Sequence, residues 1–300
     1  MKRPARYLTV LASTLLAGNA YAMDLTFSTI EGGAGVPLSV VQTGNGNGSD
    51  ILFIHGFSQS YLSWQMQLDS DLAKDFHLTA FDLRGHGASG KPTDPESYKS
   101  SQLWADDVAA VIAAKELDNP VVVAWSWAGF IVMNYVRHNG IGDIAAINFV
   151  GANTALQGPV PPPSPKPGQT TAWLGQMMSA DISENLKGVT AFIDMVTTEP
   201  LPAEVRHSNI VFNMMTPHYV RQAMLGYPPD NGDLAAKLTL PVVVSHGTDD
   251  GVVSYDGGAG IMAVLPDGTL SKYDGIGHSP FMEDAERFNR ELRALMKRVK

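Results

Sequence analysis

Cysteine is absent from the 300-residue chain. The sequence therefore excludes a disulfide framework, a thiolate nucleophile, a zinc–cysteine site and a cysteine that could carry a lipid. The fold must be held together by packing alone. That is compatible with an oxidising compartment such as a bacterial periplasm, because there are no thiols to mispair.

Basic residues and long apolar runs are also scarce. The chain has 21 Lys and Arg against 30 Asp and Glu, a formal net charge of -9, which argues against nucleic acid as a partner. No stretch reaches the ~20 apolar residues that a membrane-spanning helix needs. With 44% hydrophobic and 17% charged residues, the composition suits one large core with an insertion, and we expect the mature protein to be soluble.

The N-terminus has the pattern of a secretory signal peptide. Three basic residues lie within the first six, an apolar run covers Tyr7–Gly18, and Ala20–Ala22 form a small-x-small cleavage site. The run is too short to span a membrane. We therefore predict that residues 1–22 are removed, that the mature chain begins at Met23, and that the protein is exported, periplasmic or secreted, with no stable membrane anchor.

After this segment, strand and helix patterns alternate. Two extended segments with Gly-rich turns, Leu25–Ile30 and Pro37–Gln42, predict an antiparallel opening of a sheet. Alternation of buried strands and amphipathic helices then implies a largely parallel sheet that is covered on both faces. The predicted strands are Ile51–Ile54, Leu78–Phe81, Val121–Ala124, Ile144–Val150, Leu240–Ser245 and Thr269–Tyr273; the predicted helices are Leu103–Ala114, Ala128–Arg137, Gly258–Val264 and Asp284–Lys297.

Residues 151–239 break this rhythm. They open with the Pro-rich stretch Pro159–Pro167 and continue through short, methionine-rich helical segments. We interpret them as a cap that is inserted into a core domain formed by residues 23–150 and 240–300.

A candidate nucleophile lies where a buried strand turns into a helix. In the stretch Ala124–Gly129, small residues stand two positions before and two positions after Ser126. A strained strand-to-helix elbow requires such residues, because a larger side chain would collide with the neighbouring backbone. The pattern has alanine where the commoner G-x-S-x-G motif has glycine at both flanks, and a serine that merely caps a helix would fit it too.

Two further motifs favour the nucleophile. Gly247–Asp250 follows one buried strand and Gly277–Ser279 follows the last one, which gives the chain order Ser, Asp, His. Serine is a poor nucleophile at neutral pH, so His278 would take its proton as general base. An acid would hold the other ring nitrogen, and we assign Asp250 rather than its neighbour because it alone fits both G-x-x-D and D-x-x-V.

With these motifs the chain resembles the α/β-hydrolases from about Leu25 to its C-terminus. The resemblance also includes His55–Phe57, Asp82–Gly87 and Gly277–Phe281, and within the superfamily the chain is most similar to bacterial serine esterases related to the cofactor-free haloperoxidases. It implies an α/β-hydrolase fold, with a mostly parallel eight-stranded sheet flanked by helices and an inserted helical cap. It also implies an oxyanion hole made by the backbone N–H groups of Phe57 and Trp127.

Three functions stay open at this stage. The first is hydrolysis of small to medium, mostly apolar carboxylic esters or lactones through an acyl-enzyme. The second is perhydrolysis of the haloperoxidase type, although many such relatives carry proline where this chain has Ser58. The third is ligand binding with little turnover. Haloalkane dehalogenases and epoxide hydrolases use aspartate at the elbow, and Ser126 argues against both.

The substrate is expected to be a small acyl compound that is held between the cap and the core. The candidate pocket residues are Ser58, Met177, Met195 and Met214, with Trp127 as a wall, although most cap methionines would simply pack the cap onto the core. The histidines lack paired ligand spacing, so we predict no metal site and no cofactor. The sequence indicates neither the natural substrate nor the oligomeric state.

Overall fold

The computed structural model describes residues 24–158, 172–227 and 229–299. The predicted signal peptide and the Pro-rich stretch Pro159–Pro167 lie outside these ranges. Among the described helices, none combines the length and the apolar character that crossing a membrane requires.

Eight strands form a single sheet. They are β1 (Thr26–Glu31), β2 (Pro37–Gly44), β3 (Asp50–Ile54), β4 (His77–Phe81), β5 (Val121–Trp125), β6 (Ala146–Val150), β7 (Val242–Gly247) and β8 (Gly268–Tyr273). Their order is β1-β2-β4-β3-β5-β6-β7-β8. The pairs β1/β2 and β2/β4 are antiparallel and all other neighbours are parallel. The mostly parallel eight-stranded sheet and its antiparallel opening are thus confirmed.

Helices cover both faces of this sheet. The α-helices are α1 (Gln65–Leu68), α2 (Leu72–Asp75), α3 (Ser101–Ala114), α4 (Ala128–Asn139), α5 (Ala172–Met177), α6 (Ile182–Ile193), α7 (Ala203–Met214), α8 (His218–Leu225), α9 (Tyr255–Ala259), α10 (Pro280–Glu283) and α11 (Ala285–Arg298). Short 3-10 turns cover Gly33–Gly35, Tyr61–Trp64, Pro95–Tyr98, Gly232–Lys237 and Gly260–Ala263.

The central strand β3 shows how the two faces are filled. Successive side chains of a strand point to opposite sides of the sheet. Leu52 and Ile54 join a buried cluster with residues of α3 and α4, whereas Ile51 and Phe53 join a second cluster with Leu292 and other residues of α11. Because both faces are covered, β3 is buried at all of its five residues.

Helices α5 to α8 lie between β6 and β7, which are neighbours in the sheet. We call residues 151–239 the insertion. Its buried residues Met177, Phe192 and Met224 belong to the same apolar cluster as Phe57, which follows β3. The insertion therefore packs directly on the loop after β3, while the domain limits assigned from the sequence remain predictions.

The structure differs from the sequence-based elements in three places. The helix expected at Gly258–Val264 is the short α9 followed by a 3-10 turn, and it starts earlier because the side chain of Ser254 caps it by accepting from the N–H of Gly257. The single-turn helix α10 after the histidine turn was not predicted, nor was any helix between β3 and β4. These two strands are parallel, so a crossover is required, and α1 and α2 provide it.

Candidate active site

A strained turn holds Ser126 between β5 and α4. Ser126 has a φ of 57°, which is in the left-handed region. Such a backbone is costly for a residue other than glycine and persists only where the surrounding structure imposes it. Here the N–H of Ser126 donates to the carbonyl of Val150 at 2.9 Å. The residue is only 7% exposed.

Close backbone approaches explain why the residues around this turn are small. A Cβ added at Gly56 would lie 2.8 Å from the Cβ of Ser126, and one added at Gly129 would lie 2.6 Å from the carbonyl oxygen of Asn153. Neither contact could form without a shift of the backbone. The elbow is therefore fixed both by its own helix and by the loop that follows β3.

Asp250 and His278 form a buried pair on the turns after β7 and β8. Nδ1 of His278 lies 2.8 Å from Oδ2 of Asp250. The other carboxylate oxygen, Oδ1, accepts from the N–H groups of Val252 and Val253 at 2.8 and 2.9 Å. A carboxylate is an acceptor only, so Nδ1 of His278 carries the proton in this bond. Among the described residues, Nε2 of His278 has no hydrogen-bond partner, which makes it the ring atom that can receive a proton.

Asp249, the neighbour of this acid, has different surroundings. It is exposed, and its Oδ1 accepts from the hydroxyl of Thr248 at 3.0 Å. Only Asp250 contacts the histidine. The geometry thus agrees with the choice that the sequence motifs favoured.

Two contacts bring this pair to the end of β5, beside Ser126. The indole N–H of Trp125 donates to the carbonyl of His278 at 3.0 Å. A Cβ added at Gly151, which follows Val150, would lie 3.0 Å from Nδ1 of His278 and 3.2 Å from Oδ2 of Asp250. The three predicted catalytic residues are thus gathered at the carboxyl ends of β5, β7 and β8.

His246 is a residue that the sequence analysis missed. It lies in β7, is fully buried, and places Nε2 3.1 Å from Oδ2 of Asp250 and 3.1 Å from the carbonyl of Val253. Both neighbours are acceptors, so Nε2 carries the proton. A Cβ added at Gly258 would lie 1.9 Å from the ring, which shows how tightly the ring is held. The one signal in the sequence is a histidine four positions before the acid.

These contacts set the charge state of the acid. Burial by itself would raise the pKa of Asp250, but the charges of His278 and His246 and their hydrogen bonds outweigh it. The pKa of this carboxyl is held well below its ordinary range. Asp250 is therefore a carboxylate at neutral pH, as an acid that stabilises an imidazolium must be.

The predicted oxyanion hole is formed by the residues that follow Gly56 and Ser126, and Gly56 itself packs against Ser126. The rings of Phe57 and Trp127 are 5.9 Å apart. Neither backbone N–H donates a hydrogen bond to another of the described residues, so both remain available as donors. The next residue, Ser58, has a φ of 62° and is fully buried.

Two neutral histidines support this loop. His86 accepts from the N–H of Ser58 at Nε2, 3.1 Å, and pairs through Nδ1 with the carbonyl of Arg84. His55 accepts from the N–H of Leu83 at Nε2, 3.0 Å, and pairs through Nδ1 with the carbonyl of Gly56. Burial lowers the pKa of both histidines. Each is fixed with its proton on Nδ1, which suits a bracing role.

The candidate pocket residues divide into two pairs. Ser58 and Met177 are fully buried, and the hydroxyl of Ser58 and the backbone carbonyl of Met177 accept from Arg221. Met195 and Met214 are half-buried. Trp127 is also half-buried and packs edge-on against Phe130, with ring centroids 4.9 Å apart. Their role as a substrate pocket stays a prediction.

A metal site finds no support in the part of the chain that the structure describes. No group of three or more His, Asp or Glu side chains there is arranged to hold an ion.

A model of the Alpha/beta hydrolase family matches residues 51–291. This range includes the elbow, the acid turn and the histidine turn.

Curated relatives match most of the chain. A non-heme chloroperoxidase from Streptomyces lividans is 29% identical over 266 residues, which cover 84% of this chain and 92% of that protein. A bifunctional esterase/perhydrolase from Acinetobacter calcoaceticus is 27% identical over 261 residues, which cover 82% of this chain and 91% of that protein.

Among solved structures, an esterase from a Rhodococcus species is similar with a TM-score of 0.83 and 31% identity. The match covers 91% of this chain and 99% of that one.

Proposed function

Because the chain belongs to the α/β-hydrolase family and is a hydrolase of that fold, we propose that it is a serine esterase. It hydrolyses small to medium, mostly apolar carboxylic esters or lactones through an acyl-enzyme. The observation that carries this proposal is the pair of Asp250 and His278, 2.8 Å apart, beside the strained Ser126.

The proposed reaction begins with attack by Ser126. Its Oγ forms a bond to the substrate carbonyl carbon while its proton moves to Nε2 of His278. The carbonyl π electrons move onto the carbonyl oxygen, and the N–H groups of Phe57 and Trp127 stabilise the resulting oxyanion. Asp250 stabilises the imidazolium that has formed.

The tetrahedral intermediate then collapses. The carbonyl re-forms, the bond to the leaving alkoxide breaks, and the imidazolium of His278 protonates that oxygen. Water next attacks the acyl group on Ser126, with His278 again taking a proton and then returning it to Oγ. The products are a carboxylic acid and an alcohol.

A test with an active-site label addresses the nucleophile. A fluorophosphonate should modify the wild type with one label per chain, and the protein should hydrolyse p-nitrophenyl butyrate. Ser126→Ala should lose both properties. Ser183→Ala, an exposed serine on α6, is the matched control and should retain both. Stoichiometric labelling of the Ser126→Ala protein would remove the nucleophile from the proposal.

Perhydrolysis is the second candidate, favoured by relatives that are named as a chloroperoxidase and an esterase/perhydrolase. In it, hydrogen peroxide would replace water as the acceptor of the acyl group. The loop that carries Phe57 and Ser58 argues against efficient perhydrolysis. Proline, which many such relatives carry after the aromatic residue, has neither the N–H that Ser58 donates to His86 nor access to a φ of 62°. Assay of peracid formation from acetate and peroxide distinguishes the two activities.

Export is a further part of the proposal and rests on residues 1–22 alone. The charged start, the short apolar run and the small-x-small site support cleavage before Met23. The intact mass of protein recovered from the periplasm or medium tests it, and a chain that still begins at Met1 would contradict it.

A further inference from the structure

A single arginine of the insertion reaches the oxyanion loop. Arg221 lies in α8 and is fully buried. Its guanidinium donates four hydrogen bonds, all to neutral acceptors: Nε to Oγ of Ser58 at 2.9 Å, Nη1 to the carbonyl of Met177 at 2.8 Å and to Oδ1 of Asn185 at 2.9 Å, and Nη2 to the carbonyl of Asn213 at 2.6 Å. One cation therefore connects four helices of the insertion to the residue after Phe57.

This cation has no counter-ion. Every Asp and Glu of the chain lies within the described residues, and none of them forms an ion pair with Arg221. The other fully buried arginine, Arg84, is paired with Asp107 through two bonds of 2.6 and 2.7 Å. Buried charges are normally paired in this way because desolvation is costly. Burial lowers the pKa of Arg221 to about 10, so the group is still charged at neutral pH.

The charge lies behind the loop that carries a proposed oxyanion donor. Ser58 is held at two points, since its N–H donates to His86 and its Oγ accepts from Arg221. These two bonds maintain the left-handed backbone of Ser58, one residue from the amide of Phe57. The same positive charge also disfavours protonation of His86, after burial and the neighbouring His55.

We propose that Arg221 is a positioning residue for the oxyanion hole: it fixes Ser58, and thereby the Phe57 amide, and its uncompensated charge favours the negative intermediate. The inference rests on the proposed esterase function. A cation without a counter-ion interacts weakly with a neutral ester and strongly with an oxyanion, so it lowers the barrier rather than tightening ground-state binding. A carboxylate paired with Arg221 would neutralise its charge and so remove this preference for the oxyanion over the neutral ester.

The alternative is that Arg221 only holds the insertion together. That role would change stability but would leave unchanged the preference for a negatively charged, tetrahedral adduct over a neutral ester. Kinetic constants and the affinity for a boronic acid, which forms such an adduct on a serine, distinguish the two roles.

The experiment compares four variants of the full chain with the wild type. Arg221→Met removes the charge and its donors, Arg221→Lys keeps a charge with fewer donors, and Ser58→Ala removes only the link to the loop. Arg206→Met is the control, because Arg206 lies in the same insertion and forms an exposed ion pair with Asp194. Each is assayed for kcat and KM on p-nitrophenyl butyrate, boronic acid inhibition, fluorophosphonate labelling and melting temperature.

We expect Arg221→Met to lower kcat by about 10- to 100-fold, somewhat less than loss of an oxyanion donor itself. KM should change by less than about threefold, and boronic acid affinity should fall in parallel with kcat. Arg221→Lys should recover part of kcat. Ser58→Ala should lower kcat by about tenfold. Arg206→Met should match the wild type.

Two results would separate the failures. If the wild type neither hydrolyses esters nor takes the label, the proposed function fails. If the wild type is active but Arg221→Lys and Ser58→Ala keep kcat and boronic acid affinity within about twofold, the inference is overturned, even should Arg221→Met not fold. The inference is also overturned if the Arg221 and Ser58 variants raise KM and leave kcat unchanged.

Discussion

The two sides of Ser126 are built in different ways. On the base side, the bonds to Asp250 come from its own turn, from β7 and from a histidine 28 positions away, all within the core strands and their turns. On the oxyanion side, Ser58 depends on His86 in the core and on Arg221, 163 positions away in the insertion. The hydrogen bonds to Asp250 therefore involve no residue of the insertion, whereas one of the two bonds that hold Ser58 does.

The charges differ in the same way. On the base side a carboxylate faces two histidines, so negative charge is matched by groups that donate to it. On the oxyanion side two neutral histidines and an unpaired guanidinium surround a loop of backbone donors. The first arrangement stabilises a cation during the proposed reaction and the second stabilises an anion. Substitutions should therefore separate the two sides.

The largest effect is expected on the base side. Asp250→Asn removes the carboxylate that fixes Nδ1–H of His278 and should lower kcat by about 10³- to 10⁴-fold. Asp249→Asn is the matched control and should change kcat by less than about threefold, because the side chain of Asp249 is exposed and accepts from the hydroxyl of Thr248, away from His278. Steady-state kinetics with a p-nitrophenyl ester measure both. The reverse ranking would reassign the acid.

A smaller loss should follow from disturbing His246. Gly258→Ala would place a Cβ 1.9 Å from the His246 ring and push its Nε2 away from Asp250. We expect kcat to fall by about 10- to 100-fold, as for other misplacements of about 1 Å, and stability to fall by about 1–3 kcal/mol through overpacking.

Gly175→Ala is the control for this substitution, since a Cβ there meets open space. Kinetics and urea unfolding of both variants give the two quantities. If Gly258→Ala loses stability but keeps kcat, the contact of His246 with Asp250 has no part in positioning the acid.

The sequence predicts the base side better than the oxyanion side for a physical reason. Strands appear as apolar runs, and turns at their carboxyl ends meet at one edge of a parallel sheet, so the order of Ser126, Asp250 and His278 already implies their proximity. Arg221 and His246 have no such local pattern. Arg221 acquires its role through a contact with Ser58 across 163 positions, which leaves no trace in either local sequence. His246 lies only four positions before Asp250, but no motif in its buried strand assigns it to the acid.

The boundaries of the helices and strands also show that the sequence predicts only what leaves a local pattern. The ends of the apolar strands are predicted to within two residues, because burial on both faces leaves a continuous signal. The short α1 and α2 were missed, since a single turn has too few residues to show helical periodicity.

The two sides should contribute differently to the pH dependence of folding stability. His55 and His86 have pKa values lowered by burial from the ordinary 6.5. Below 6.5 the unfolded chain therefore binds more protons than the folded one, and stability is full above that pH and is lost as the pH falls towards the folded values. Asp250, whose pKa is depressed, contributes stability above its ordinary 3.8 and loses it only in stronger acid.

We therefore expect the melting temperature to fall by several degrees between pH 7 and pH 5, since about 1 kcal/mol corresponds to about 2–4 °C in a domain of this size. His86→Gln should flatten this dependence, because glutamine cannot titrate, whereas Asp250→Asn should leave it in place. Calorimetry across this range checks both variants. If the melting temperature depends on pH equally in the wild type and in His86→Gln, the acid sensitivity comes from groups other than His86.

The smallest effect is a change in substrate preference on the oxyanion side. Trp127 is half-buried, and its ring lies 4.9 Å from Phe130, 5.9 Å from Phe57 and 6.5 Å from Tyr227. The backbone of Trp127 is a proposed oxyanion donor, but its side chain can be removed without removing that N–H. Trp127→Ala should therefore enlarge the proposed acyl pocket while retaining the reaction.

Acyl length then reports the size of that pocket. Each methylene buried on an apolar wall contributes up to ~0.8 kcal/mol, about fourfold in kcat/KM, until the pocket is full. We expect the wild type to have an optimum at short or middle lengths in a p-nitrophenyl series from acetyl to palmitoyl, and Trp127→Ala to move it to longer chains. Phe27→Ala, on the exposed edge strand β1, is the control and should keep the wild-type profile. A steady rise to palmitoyl in the wild type would favour a lipase, and a Trp127→Ala profile that superimposes on the wild type would take Trp127 out of the pocket wall.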